Sequence, residues 1–121
     1  MYNLNKEEKN TLQSIHHLQA ENLYEILVKQ IIKDFQLVNV SISIENETSP
    51  EDLVKELYQT IHHLLIHDYT NYLNLLYRID VSEKELKNSS SSDSIDSFCK
   101  HICLLILKKE IQKIYFRKKY K

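Results

Sequence analysis

Glycine and tryptophan are absent from this chain of 121 residues, and alanine (Ala20) and proline (Pro50) each occur once. Average usage would give a chain of this length about eight glycines and six prolines. Glycine supplies the positive φ needed in tight turns, phosphate-cradling loops and close backbone approaches. Its absence excludes a P-loop, a dinucleotide-binding fingerprint, a nucleophile elbow and an EF-hand loop together. Asn, Lys, Ile and Ser are abundant, as an AT-rich genome would give, so drift accounts for part of the deficit. The chain must still fold without glycine, and what remains suits long helices joined by polar loops.

Long hydrophobic runs are lacking too. The longest, Ile102 to Leu107, is far too short to span a bilayer, and no apolar stretch follows a basic start, so no membrane contact and no secretory leader are expected. Cysteine is scarce. Cys99 and Cys103 stand four apart, which on a helix puts them on one face without favouring a bridge, so they read as free thiols in a reducing cytoplasm. No CxxC opens a helix, which leaves no redox motif.

Neither charge dominates, since the formal net charge is −1, but the distribution is uneven. Residues 108–121 carry Lys108, Lys109, Lys113, Arg117, Lys118, Lys119 and Lys121 against Glu110, a net of +6, which leaves −7 for the rest. A basic end on an acidic body suits nucleic acid. It equally suits a helix C-terminus, where cations meet the negative pole of the dipole. The second reading is preferred, because no aromatic–basic alternation of the RNA-binding kind surrounds the run.

Hydrophobic periodicity divides the chain into four segments. Residues 6 to about 36 read as a first helix, with Leu12, Ile15, Leu23, Ile26, Leu27 and Ile31 on one arc and Asn5 and Glu8 as a capping box. Residues 37–45 then change period: Val38, Val40, Ile42 and Ile44 alternate with polar residues, as in a half-buried strand. Leu37, Val40 and Ile44 also fit a helical continuation; the segment is taken as extended. Ser49-Pro50-Glu51-Asp52 is a helix start, with a capping serine, proline at the first helical position and acids in the first turn. That helix should run to about Ile79, and Ser82 with Glu85 should open a short helical turn. Residues 88–94 (NSSSSDS) read as a flexible loop, and Asp93 or Ser94 starts a last helix over about 95–119, apolar almost all round at Ile102–Leu107 and so central to the core. The expected fold is all-α: one domain over 1–121, a small bundle of three long helices plus a short helical turn, with a lone extended segment at 37–45.

Few residues offer chemistry. Asp68 projects onto the middle of the apolar face of the second long helix, beside Ile61, Leu64, Tyr72 and Leu75. A buried carboxylate needs partners or takes up a proton. It is a candidate catalytic acid/base or metal ligand, although a structural hydrogen-bonded aspartate is the commoner case. His63 and His67 share a helix face next to it, and two histidines plus a carboxylate can hold a metal. His16 or His17 of the first helix could join them. The HHxxxHD pattern nevertheless lacks the glutamate of HExxH and the ExxH pairs of di-iron bundles, so a metal is disfavoured and no cofactor is expected. His67-Asp68 resembles the HD pair of metal-dependent phosphohydrolases, whose remaining ligands cannot be placed.

Two stretches, LLYRIDVSE (75–83) and ILKKEIQKIYFRKKY (106–120), resemble a group of small uncharacterised bacterial proteins of about this length, chiefly over the C-terminal two thirds. The group brings no activity, substrate or cofactor; the resemblance implies only a cytoplasmic, mainly helical bacterial protein. Read on its own terms, LLYRIDVSE ends a helix. Arg78 faces the negative helix pole and reaches Glu110 or Asp68, so Asp68, Tyr72, Arg78 and Glu110 are expected to form a structural network. The functional expectation is a non-enzymatic helical module that works by protein–protein contact, as a homodimer or with another protein. The alternatives are a small metal-dependent hydrolase built on Asp68, His63 and His67, and nucleic-acid binding by the basic C-terminal helix.

Overall fold

A computed structural model describes residues 6–87 and 94–119 of the chain. Its regular structure is six helices: α1 (Lys6–Ala20), α2 (Tyr24–Gln36), α3 (Pro50–His67), α4 (Tyr69–Ile79), α5 (Glu83–Lys87) and α6 (Ile95–Lys119). The fold is all-α, with no strand among the described residues. Asn5, Asp93 and all of the serine-rich loop but Ser94 lie outside those residues.

The three long helices of the sequence reading are corrected at two points, because the first two are each divided. Between α1 and α2 the Leu23 N–H donates to the Leu18 carbonyl (2.8 Å) and the Asn22 N–H to that of Gln19 (3.1 Å), while Asn22 takes φ 60°. This is a Schellman motif, with a left-handed residue at its corner and an apolar pair, Leu18 and Leu23, across it. The same pattern closes α2, where Asn39 (φ 61°) is flanked by Phe35 and Val40, and α4, where Asp80 (φ 72°) is flanked by Leu76 and Val81. Glycine is the usual occupant of such corners. In a glycine-free chain they fall to Asn and Asp, the residues that tolerate this region best after glycine.

The break between α3 and α4 has a different cause. Asp68 leaves helical geometry (φ −151°, ψ 66°), and its carboxylate accepts the Asn71 backbone N–H at 3.3 Å and the Asn71 side-chain amide at 2.9 Å. It therefore caps α4. Ser49 caps α3 by accepting from the Asp52 N–H, with Pro50 at the first position. Ser82 and Glu85 form a reciprocal capping box at α5, and Ser94 accepts from the Ser97 N–H at the start of α6.

Residues 40–45 cross over without regular structure and belong to no ladder; the Ile44 N–H donates to the Ile42 carbonyl at 3.1 Å. Val40 and Ile44 are buried, Val38 and Ile42 pack partly against the core, and Asn39, Ser41, Ser43 and Glu45 are exposed. The alternating pattern thus reports burial on one side of a crossover segment. α6 lies at the centre and touches α1, α2, α3 and α4. Its stretch Ile102–Leu107 is buried throughout, and all of it but Leu104 joins Ile15, Leu18, Leu27, Ile31, Leu53, Leu57, Ile61 and Leu75 in one continuous core. Cys99 and Cys103 are buried and unbridged, and burial pushes the Cys103 thiol pKa up. No helix of the described residues is long and apolar enough to cross a membrane.

Candidate functional site

Asp68 sits at a helix junction rather than inside a continuous apolar face. Its side chain is partly buried, and its described hydrogen bonds go to Asn71. His63 and His67 do lie together, with ring centroids 4.8 Å apart, and both are exposed. The α1 histidines are elsewhere. His16 lies 3.4 Å from Glu51 at the start of α3, and His17 lies 2.9 Å from Glu21. Glu51 precedes His63 by twelve residues on one helix, a separation of about 18 Å along the axis. Among the described residues no three His, Cys, Asp or Glu side chains converge as a metal site would require. The residues proposed for a hydrolase are thus divided between two places.

Arg78 has a partner that the sequence reading did not name. Its Nε lies 3.3 Å from Oδ1 of Asp34 on α2, in place of Asp68 or a direct contact with Glu110. Lys113 on α6 approaches Asp34 Oδ2 and Glu110 Oε1, each at 3.3 Å. Gln30, one turn before Asp34, donates its side-chain amide to the Glu110 backbone carbonyl at 2.8 Å and to Glu110 Oε1 at 3.2 Å. The cluster therefore clamps α2, α4 and α6 through Gln30, Asp34, Arg78, Glu110 and Lys113. Tyr72 and Asp68 are not members: the buried Tyr72 hydroxyl has no partner among the described residues.

Glu110 is fully buried (0% exposed). Burial first, and then hydrogen bonding to Asp34 and its charge, push the Glu110 pKa up to about 8, with Lys113 acting in the opposite direction. Burial and the neighbouring Asp34 carboxyl thus favour the protonated form of Glu110. Gln30 Oε1 and Glu110 Oε2 have no partner among the described residues. Complete burial closes Glu110 to any substrate, so the cluster acts as a clamp between helices. Asp34 and Gln30 were legible in principle. They fall on the apolar arc of α2, between Leu27, Ile31 and Phe35, by the same logic that singled out Asp68.

The basic residues of α6 are largely engaged with acids. Lys109 pairs with Glu85 (3.2 Å), Lys113 with Asp34 and Glu110, and Lys118 with Glu21 (3.2 Å). Tyr115 also donates to Glu21 at 2.9 Å, and these two hydrogen bonds lower the Glu21 pKa. Lys108, Arg117 and Lys119 are exposed. Half of the proposed basic patch thus fastens α6 to α2, α5 and the turn that follows α1.

A different surface stands out on α4. The inner face, Tyr72, Leu75, Leu76 and Ile79, is buried. The outer face carries Tyr69 (57% exposed), Leu73 (48%) and Tyr77 (90%) at spacings of four. Leu37 (55%) borders the same depression as Tyr77 and extends the patch. Arg78 is the only formal charge on α4, and Asp34 engages it. The four side chains expose roughly 500 Å², within the range of the largest apolar patches on monomers, which are often functional. No protein-family model matches this chain, and comparison with curated proteins and with solved structures finds no match.

Proposed function

We propose that the protein is a non-enzymatic contact module that pairs with a second copy of itself through the outer face of α4. The observation that carries this reading is the line Tyr69–Leu73–Tyr77, uncharged on a chain of which 27% is charged. The line is a palindrome about Leu73. In an antiparallel pairing across a two-fold axis, Leu73 meets its own copy and Tyr69 meets the partner's Tyr77, which is the self-complementarity that an isologous interface requires. Tyrosines suit such a contact because they bury a large apolar body and leave the hydroxyl at the rim. With Arg78 held by Asp34, two copies can approach without opposing cations. A stable interface buries about 800 Å² per partner. The patch supplies much of that, and the polar Thr70 and Asn74 flanking it would add a rim.

The hydrolase reading would need a third ligand beside His63 and His67, and none is brought there among the described residues. Nucleic-acid binding would rest on Lys108, Arg117 and Lys119, because Lys109, Lys113 and Lys118 are engaged by Glu85, Asp34 and Glu21. Crosslinking tests the proposal directly. Leu73→Cys lies on the expected axis, so mild oxidation should give a covalent dimer in high yield. Ser14→Cys, exposed on α1, should remain monomeric under the same conditions. Equal and low crosslinking of both variants would reject the α4 pairing.

A further inference from the structure

About two helical turns before the polar clamp along α6, α1, α3 and α6 leave a cleft between them. Its volume is about 630 Å³, and its apolar walls come from Leu12, Val54, Tyr58, Cys103 and Leu104. Small-molecule sites span roughly 300–1,000 Å³ and are mainly apolar. This volume admits up to about twenty heavy atoms at roughly 30 Å³ each. Four formally charged side chains line the cleft: the buried Glu8 and the more exposed Glu51, Lys55 and Lys100. Their formal charges cancel, and Glu51 is already drawn to His16 at 3.4 Å. A lining whose formal charges balance among largely apolar walls favours neither an anion nor a cation. It penalises burial of either, since a charge moved between those walls would lose its water without gaining a net countercharge.

We infer that this cleft binds an uncharged apolar small molecule, such as a medium-length aliphatic alcohol or a neutral bicyclic aromatic. Tyr58 is held for the purpose. Its hydroxyl donates to Asp96 at 3.0 Å, which holds the outer end of the ring as a wall, and its backbone carbonyl accepts from the Cys99 thiol at 3.6 Å. Cys103 contributes a thiol that burial keeps protonated, and it behaves there as a small apolar group. The cleft involves α1, α3 and α6, whereas the pairing face belongs to α4, so the two can be tested apart.

The test uses the whole chain and the neutral fluorophore N-phenyl-1-naphthylamine. Saturable one-to-one binding is expected. Displacement should be ordered by charge, with 1-decanol stronger than decanoate and decylamine by about tenfold each. Val54→Trp, which fills the cleft, should weaken the probe by about tenfold or more. Should that variant misfold, the thermal shift of the unaltered chain provides the same ranking: decanol should raise the melting temperature and the two charged analogues should not. Tyr77→Glu should bind the probe as the unaltered chain does. The inference is overturned by absence of saturable binding, by equal displacement by all three ligands, by binding that a folded Val54→Trp leaves unchanged, or by probe release as protein concentration rises, which would assign the cleft to a second copy.

Discussion

α4 and α6 share one property of sequence and differ in where the fold puts them. Both are apolar on more than one side. α6 carries Ile102–Leu107 as an unbroken run, and it is enclosed because α1, α2, α3 and α4 all pack around it. α4 carries Tyr69, Tyr72, Leu73, Leu75, Leu76, Tyr77 and Ile79 in eleven residues, but only Tyr72, Leu75, Leu76 and Ile79 are covered. A helix that is apolar all round normally lies in a core. α6 meets that condition within one chain. α4 meets it only if something covers Tyr69, Leu73 and Tyr77, and this unmet condition is the physical content of the pairing proposal.

The sharpest way to separate the two helices is to truncate one leucine in each. Leu107→Ala, at a fully buried site of α6, should cost about 2–5 kcal/mol in denaturant unfolding, independent of protein concentration. Leu73→Ala should leave the unfolding of the isolated chain within about 0.5 kcal/mol. Its effect should appear as a loss that grows at concentrations where pairing contributes. If both variants behaved like Leu107→Ala, α4 would be a core helix, and its outer face would need no partner.

The next effect belongs to the polar half of α6. The unfolded Glu110 carboxyl releases its proton near 4.5 and the folded one at about 8. Folding therefore takes up a proton between those values, and stability is lost as pH rises from about 4.5 through 8. Glu110→Gln keeps the shape and removes the titration. Chemical denaturation from pH 5 to 9 should find its profile flatter, the unaltered chain losing on the order of 2–4 kcal/mol more than the variant over that range. An unchanged slope would mean that Glu110 is charged in the folded state.

The smallest effect concerns the corners. Asp80 closes α4 at φ 72° and Asn39 closes α2 at φ 61°. Asp80→Gly and Asn39→Gly should each raise the unfolding free energy by a few tenths to about 1 kcal/mol, because the left-handed conformation strains any side chain. Thermal melts would read this as a gain of a few degrees. A loss at both positions would mean that the side chains contribute more than the strain costs.

These corners also show why part of the fold was hidden in the sequence. The start of α3 was plain from Ser49-Pro50, α5 from Ser82 and Glu85, and α6 from its flanking serine and basic end. Each of these rests on a local chemical signal. The breaks at Asn22 and Asp68 were not visible, for two reasons. Glycine, the usual punctuation of a helix end, is missing, and Asn and Asp are ordinary residues elsewhere in this chain. The apolar stripe also runs on across each break, from Leu18 to Leu27 and from Leu64 to Tyr72, so the periodicity reports one helix where there are two. The clamp was half legible. Arg78 and Glu110 were identified from the chain, but their meeting point is Asp34, on a helix more than forty residues away in sequence, and only packing shows that. The α4 face was legible as composition, in its tyrosines, but not as exposure.

The decisive measurement is the solution mass of the purified chain by sedimentation equilibrium across a concentration series, alongside Tyr77→Glu. Tyr77 is 90% exposed, so the substitution cannot disturb the core. The account predicts a mass rising to twice that of the monomer for the unaltered chain, and a monomer with unchanged helical content for the variant. A unaltered chain that stays monomeric to about 100 µM, or a variant that dimerises as well as its parent, would contradict it.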